Sequence, residues 1–421
     1  MAAPGAGDRR HYARVLDRSS RPITPLHVIA AVACALALAI DMIEMAIGNV
    51  LSTVFSAQSG RMNSADLSWL LASVYFGAVL GAPVIGWLSD RRGIRTCLVA
   101  SLVWLALMSC LAGASATVLE LSVFRFLSGL ALGAIPPLLI AYLTRIASAR
   151  YRGAFIFWVC GSAALVPPFA LLLIRWVIRL QPLEGWRWPL YGAGVLALVA
   201  GCVLARLPES HAWPDTGAPE ASDQAEGDLA GSRNRSRFTF VACIYFLLPW
   251  ATVGFPLLTG PILLHQGYDL NQALLYVTLA TVGPSIASFL ATSFVDRFDR
   301  RVILAGCAVL MLATVAMFIV ARSPASLAAA LIVFGIAAAI YVTALTIYAA
   351  EIFPAEVRTF ATSSAWAINR AASAIIPLIL VPLVGVHSVA VSMLPICAAL
   401  GASLLLIGVG GPNGAARRVV G

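Results

Sequence analysis

Four ionisable side chains lie deep inside otherwise apolar runs of this sequence: Asp41 and Glu44 in one run, Arg125 in another and Arg370 in a third. A charge at the centre of a bilayer costs roughly 3 kcal/mol on insertion scales, so each needs a partner or a wet cavity. Asp41 and Glu44 are three residues apart and share one helix face. Paired carboxylates at that spacing suit the binding and release of protons. Arginine can grip a carboxylate through two parallel hydrogen bonds. The four charges sum to zero, which lowers the cost of insertion and also fits a cavity for an organic anion. Spacing alone leaves a purely structural pair between Arg125 and one of the acids open as well.

The elements that must carry these residues follow from composition. Of 421 residues, 60% are apolar and 11% charged, against about 25% charged in a soluble domain. The apolar residues form runs long enough to cross roughly 30 Å of hydrocarbon as helices. The strict alternation of a membrane β-barrel is missing. Twelve spans are expected near 27–52, 67–88, 97–117, 119–141, 153–174, 187–206, 238–260, 271–292, 302–321, 325–348, 360–384 and 387–409. The turn between the third and fourth, around Gly113, Ser115 and Thr117, is the faintest boundary. Residues 1–26 carry five arginines and no apolar core, so no cleavable signal is expected.

The net charge of +9 comes from 28 arginines without a single lysine. They sit mostly in short loops between apolar runs, which is a topology signal and not a nucleic-acid-binding face. With the N-terminus inside, 21 arginines fall on inside segments, 5 on outside segments and 2 within spans. Both termini are therefore expected in the cytoplasm, in a cell inner membrane. Residues 207–237 are polar, rich in Pro and Gly, and read as a flexible linker. The expected organisation is a tail (1–26), a six-helix bundle (27–206), the linker (207–237), a second six-helix bundle (238–409) and a tail (410–421). Trp176, Trp186 and Trp188 read as interfacial anchors. The eight cysteines lie in apolar runs without a CxxC and read as small core residues. Five scattered histidines exclude a clear zinc site, so neither a metal nor a cofactor is expected.

Motifs sharpen the reading. Gly86-Trp87-Leu88-Ser89-Asp90-Arg91-Arg92-Gly93-Ile94-Arg95 follows the second span and resembles the G-x-L-x-D-R-x-G-R-R signature of the major facilitator superfamily. The resemblance implies an all-α membrane fold of two pseudo-symmetric six-helix bundles, with Gly86, Asp90, Arg91, Gly93 and Arg95 in a cytoplasmic gate. Asp296-Arg297 repeats the loop in the second half without its glycines. Arg125, Gly129 and Gly133 match the family's R-x-x-x-G-x-x-x-G pattern. Ala350-Glu351-Ile352-Phe353-Pro354-Ala355-Glu356-Val357-Arg358 matches the A-E-x-F-P-x-x-x-R element of sugar porters and metabolite:proton symporters, which adds Glu351 and Arg358 to the gate. Its first-half equivalent has Arg145 where an acid is usual. Ile40-Asp41-Met42-Ile43-Glu44 resembles the first-span D-G-F-D-x-x-x-I-G element of aromatic acid:proton symporters, with Met42 in place of glycine.

The expected function is secondary active transport by alternating access, a proton-coupled symport of a small aromatic or similar carboxylate. Asp41 and Glu44 are the expected proton sites. Arg125, Arg370, Asn369, Trp250 and Tyr341 are the expected substrate contacts. The partners are the organic anion, protons and the bilayer, with no nucleic acid and with the chain as a monomer. Double prolines Pro136-Pro137 and Pro167-Pro168 mark candidate flexing points. A drug:proton antiporter on the same fold is the first alternative, weakened because span five has no G-P-x-x-G-G. A membrane sensor is the second, weakened by short tails. An enzyme is not expected: nothing resembles a metal cluster, a nucleophile with its base or a phosphate-binding loop.

Overall fold

The computed structural model describes residues 25–58, 62–147, 152–209, 232–295, 298–321, 323–384 and 387–410. Most of both tails and of the linker, together with Arg150, Asp296 and Arg297, lie outside the described residues, as does the side chain of Arg358.

The first bundle holds α1 (Pro25–Ala57), α2 (Ser64–Arg92), α3 (Ile94–Ala114), α4 (Val118–Ile146), α5 (Arg152–Leu180) and α6 (Arg187–Ala205). The second holds α7 (Ser232–Thr252), α8 (Gly254–His265), α9 (Leu270–Val295), α10 (Arg300–Val320), α11 (Pro324–Ile352), α12 (Ala355–Leu380) and α13 (Val389–Gly410). Among the described residues, twelve helical segments are long and apolar enough to span a membrane, α7 and α8 together making one. The faint turn after α3 is sharply built. Thr117 caps α4 by accepting from the Glu120 N–H at 3.1 Å, and Glu120 reaches back to the Ala116 N–H at 2.8 Å.

The structure differs from the sequence reading at several points. Helix α7 already begins at Ser232, and Leu207 is packed into the first bundle's core, both within the stretch read as linker. Trp186 is 3% exposed and packs against Phe55, whereas Trp176 and Trp188 do face outward. Cys202 and Cys243 are exposed on helices that face lipid. Both double prolines lie inside continuous helices.

The bundles repeat each other's joints. In the first, Arg95 Nη1 donates to the carbonyls of Leu207 and, at 3.4 Å, Ala205. In the second, Arg301 Nη2 donates to Ile407 O at 2.8 Å and Gly408 O at 3.4 Å. Each guanidinium closes the carbonyl end of its bundle's last helix. Glycines set the tightest crossings. A methyl group at Gly81 would lie 1.9 Å from Leu130 O, joining α2 to α4, and one at Gly283 would lie 2.3 Å from Ile332 O, joining α9 to α11. Gly129 and Gly133 serve the same α2–α4 crossing.

Prolines explain where the helices reach for each other. A proline cannot donate to the carbonyl four residues before it, and in hydrocarbon that carbonyl needs another donor. Pro249 frees Tyr245 O, which accepts from Asn369 Nδ2 at 3.1 Å. Pro261 frees Leu257 O, which accepts from Ser52 Oγ at 3.1 Å. Pro168 frees Ala164 O, which accepts from Ser285 Oγ at 2.5 Å. The last two bonds cross between bundles. Pro256, likewise unable to donate to Thr252 O, accounts for the break at Val253 that splits α7 from α8.

A shared apolar cluster welds the bundles together. One apolar cluster unites Ile43–Phe55 of α1 and Leu171–Ile178 of α5 with Leu257, Leu274 and Val381 of the second bundle. The two larger clusters each belong to one bundle, except that Ala374 of α12 is packed into the first bundle's cluster. Ser285→Ala should orphan Ala164 O and cost on the order of 1–2 kcal/mol. Adding Pro168→Ala, which restores an N–H to that carbonyl, should recover most of the loss in detergent unfolding experiments; no recovery would refute this assignment.

Candidate functional site

The four membrane charges divide into two unlike pairs. Glu44 on α1 and Arg125 on α4 are 0% and 2% exposed and form an ion pair. Arg125 Nη1 donates to Glu44 Oε2, and Nη2 donates to the Glu44 main-chain carbonyl at 3.1 Å. Ser109 on α3 donates to the other carboxylate oxygen, Oε1, at 2.5 Å. Three helices are thereby pinned through one carboxylate. The void beside Arg125, lined by Met45, Gly48, Tyr75 and Leu257 among others, measures about 10 Å³. That holds one water at most, so no organic anion reaches Arg125 here.

Asp41 and Arg370 are not paired in this way. Asp41 is 7% exposed, and its Oδ1 is buried without a hydrogen-bond partner. Arg370, half-buried on α12, acts on Asp41 electrostatically without an ion-pair contact. Ala374, one turn beyond Arg370, is fully buried in the first bundle's core, so this face of α12 points across the seam. Trp366, one turn before Arg370 on that face, is 36% exposed and packs edge-on against Tyr245 with ring centroids 5.5 Å apart. Tyr75 on α2 lies within electrostatic reach of Arg370, Arg125 and Asp41. Arg370 thus stands on the face of α12 that meets the first bundle.

The remaining expected contacts scatter. Asn369 is spent on the Tyr245 carbonyl and ties α12 to α7. Trp250 is half-buried, and its Nε1–H is buried without a partner. Tyr341 is turned into the second bundle's own core, 1% exposed, with its hydroxyl 2.5 Å from Ser403 Oγ. The structure does not bring Tyr341 to the charged group. Ser109, Tyr75 and Trp366 are the neighbours that sequence reasoning missed. Only Trp366 left a signal, its spacing of four from Arg370.

At the arginine-rich face, Gly93 adopts φ +94°, and a methyl group there would also meet the Glu209 side chain at 2.8 Å. Glu209 accepts from the N–H groups of Arg95 at 2.8 Å and Thr96 at 3.2 Å, seating a carboxylate on the N-terminus of α3. Arg91 stacks over the Trp87 ring at 3.8 Å, and Asp90 is exposed. A methyl at Gly86 would meet nothing within 4 Å. Glu351 pairs with Arg300 at 3.4 Å. The bonds of Arg95, Thr96 and Glu351 all stay within their own bundle, so this end of the seam is not latched by them.

Glu44→Gln should leave Arg125 buried without a counter-charge and destabilise the protein by about 3–5 kcal/mol. Glu44→Gln with Arg125→Gln should recover most of that in the same unfolding measurement; a double variant as unstable as the single one would contradict the pairing.

Comparison with known proteins agrees with this architecture. The family profile of the Major Facilitator Superfamily matches residues 29–282 and again 240–418. A gentisate transporter from Corynebacterium glutamicum is 26% identical over 331 residues, covering 76% of this chain and 73% of the relative. A cis,cis-muconate transport protein from Acinetobacter baylyi is 24% identical over 318 residues, covering 74% and 75%. The crystal structure of a D-xylose-proton symporter superposes with a TM-score of 0.72 at 19% identity, covering 93% of this chain and 98% of that one. Two bundles of six spans, the glycine-built crossings and a profile match over nearly the whole length lead to one assignment: the chain belongs to the major facilitator superfamily and is a secondary transporter, not an enzyme.

Proposed function

We propose that this protein is a proton-coupled symporter of a small organic carboxylate, most suitably an aromatic one, working by alternating access. One observation carries the reading. Arg370, a half-buried cation inside a span, has no ion-pair contact and faces Asp41, whose Oδ1 is a buried orphan. A cation and an acid on facing bundles, without an ion-pair contact between them, are the minimum for binding an anion together with a proton. The gentisate transporter supports the substrate class, since gentisate carries one carboxylate on an aromatic ring; cis,cis-muconate carries two carboxylates, so that relative supports only the wider class of organic anions. The structural neighbour named as a proton symporter is compatible with the coupling ion.

In this scheme the substrate carboxylate takes the Arg370 fork, with its ring beside Trp366 and Tyr75 and a ring substituent within reach of the Trp250 indole N–H. Asp41 takes the proton. Glu44, Arg125 and Ser109 stay locked and position α1 against α3 and α4. The arginine-rich face is cytoplasmic, and the gate residues Gly86, Asp90, Arg91, Gly93, Arg95, Glu351 and Arg358 meet across it only when that side closes. The apolar weld between α1, α5, α8 and α9 is then the outer closure.

The experiment is uptake of labelled gentisate by proteoliposomes under an imposed proton gradient, acidic outside. Accumulation should follow the gradient. Asp41→Asn should abolish accumulation while sparing substrate exchange at equal concentrations. Arg370→Gln should weaken half-saturation by on the order of tenfold or more, as expected for losing charge-assisted hydrogen bonds. Uptake indifferent both to the gradient and to Asp41→Asn would defeat the proposal.

A further inference from the structure

We infer that transport is electroneutral: one monocarboxylate moves with one proton, and dicarboxylates are excluded. This rests on the symport reading above and adds to it the charge carried per cycle and the valence of the substrate.

Few of the charges carried into the membrane are free to move. Glu44 and Arg125 cancel each other inside a contact that also uses Ser109 and the Glu44 carbonyl. The void beside them is too small to admit a carboxylate. What remains at the seam is one cation, Arg370, and one acid, Asp41. The groups facing Asp41 are Arg370 from α12, Glu44 from its own helix, and Tyr75 from α2, which itself senses Arg125 from α4. Cys110 of α3 faces Glu44. Among the described residues, Arg370 and Arg125 are the cations that act on Asp41 and Tyr75.

Two loading states leave this site without net charge. In the empty carrier, Arg370 and an ionised Asp41 cancel. In the loaded carrier, Arg370 and the substrate carboxylate cancel while Asp41 is neutral with its proton. Proton without substrate leaves one net positive charge, and substrate without proton leaves one net negative charge. An uncompensated charge within a span is disfavoured roughly a hundredfold, so only the neutral states close the seam readily. That couples one proton to one carboxylate without a direct contact between them. A second carboxylate on the substrate would bring a charge that Arg125 is not free to meet.

The test uses the wild-type chain in liposomes with a fixed proton gradient and the potential clamped by potassium and valinomycin at 0 or −100 mV, inside negative. Labelled 4-hydroxybenzoate is the probe, and flux into protein-free liposomes is subtracted. Accumulation should change less than twofold between the two potentials, and terephthalate should compete at least tenfold more weakly than unlabelled 4-hydroxybenzoate. A moving unit charge would instead change accumulation roughly fiftyfold per 100 mV. That result, or equal competition by terephthalate, would overturn the inference and leave symport standing. Absence of protein-dependent uptake of both labelled 4-hydroxybenzoate and labelled gentisate would overturn the symport reading itself.

Discussion

Hydrocarbon offers no hydrogen bonds, and this structure is organised by that fact. Each backbone carbonyl must find its donor inside the protein, and each charge must find its opposite. A straight helix solves the first problem alone, which is why nearly all of the described chain is helical. Prolines reopen it at chosen places. The carbonyls freed by Pro249, Pro261 and Pro168 are served by side chains from other helices, and two of those bonds, from Ser52 and Ser285, join one bundle to the other. A hydrogen bond lost inside one helix thus becomes a contact between helices. Bonds of this kind are well suited to a seam that opens and closes, because a single hydroxyl on a single carbonyl contributes only about 1 kcal/mol.

Charge follows the same rule with a different outcome. A buried ion pair seldom adds net stability over apolar packing, but removing one partner is severe. Glu44 and Arg125 are therefore best understood as a mutual necessity: with Ser109 they satisfy one another and fix three helices of one bundle. Asp41 and Arg370 are left incomplete, on opposite sides of the seam. A complete pair holds a bundle in shape, whereas an incomplete one leaves room for a third party. The first bundle carries both acids and the fixed arginine, and the second contributes the free arginine with the Trp366 ring one turn away. The incomplete pair therefore draws on both bundles, as the proposed symport requires.

Much was legible in the sequence because its cues are local. Thr117 and Glu120 spell a helix start, Gly129 and Gly133 announce a close crossing, and the loop from Gly86 to Arg95 identifies the family outright. Errors arose where a neighbour decides. Trp186 looks like an interfacial anchor until Phe55 arrives beside it from α1. Tyr341 looks like a cavity aromatic until Ser403 takes its hydroxyl. Asn369 looks like a ligand because it adjoins Arg370, yet a proline on another helix had already claimed its amide.

The sequence by itself determined that the chain spans a membrane twelve times, that its halves repeat, and that two acids and two arginines are carried into oil at positions 41, 44, 125 and 370. These follow from hydropathy and spacing, which are properties of single segments. Only the tertiary structure decided which acid meets which arginine. Glu44 and Asp41 are one turn apart and chemically alike, but one points at α4 and the other across the seam. The difference is an angle around α1 and the position of helices over eighty residues away, and no local pattern encodes either.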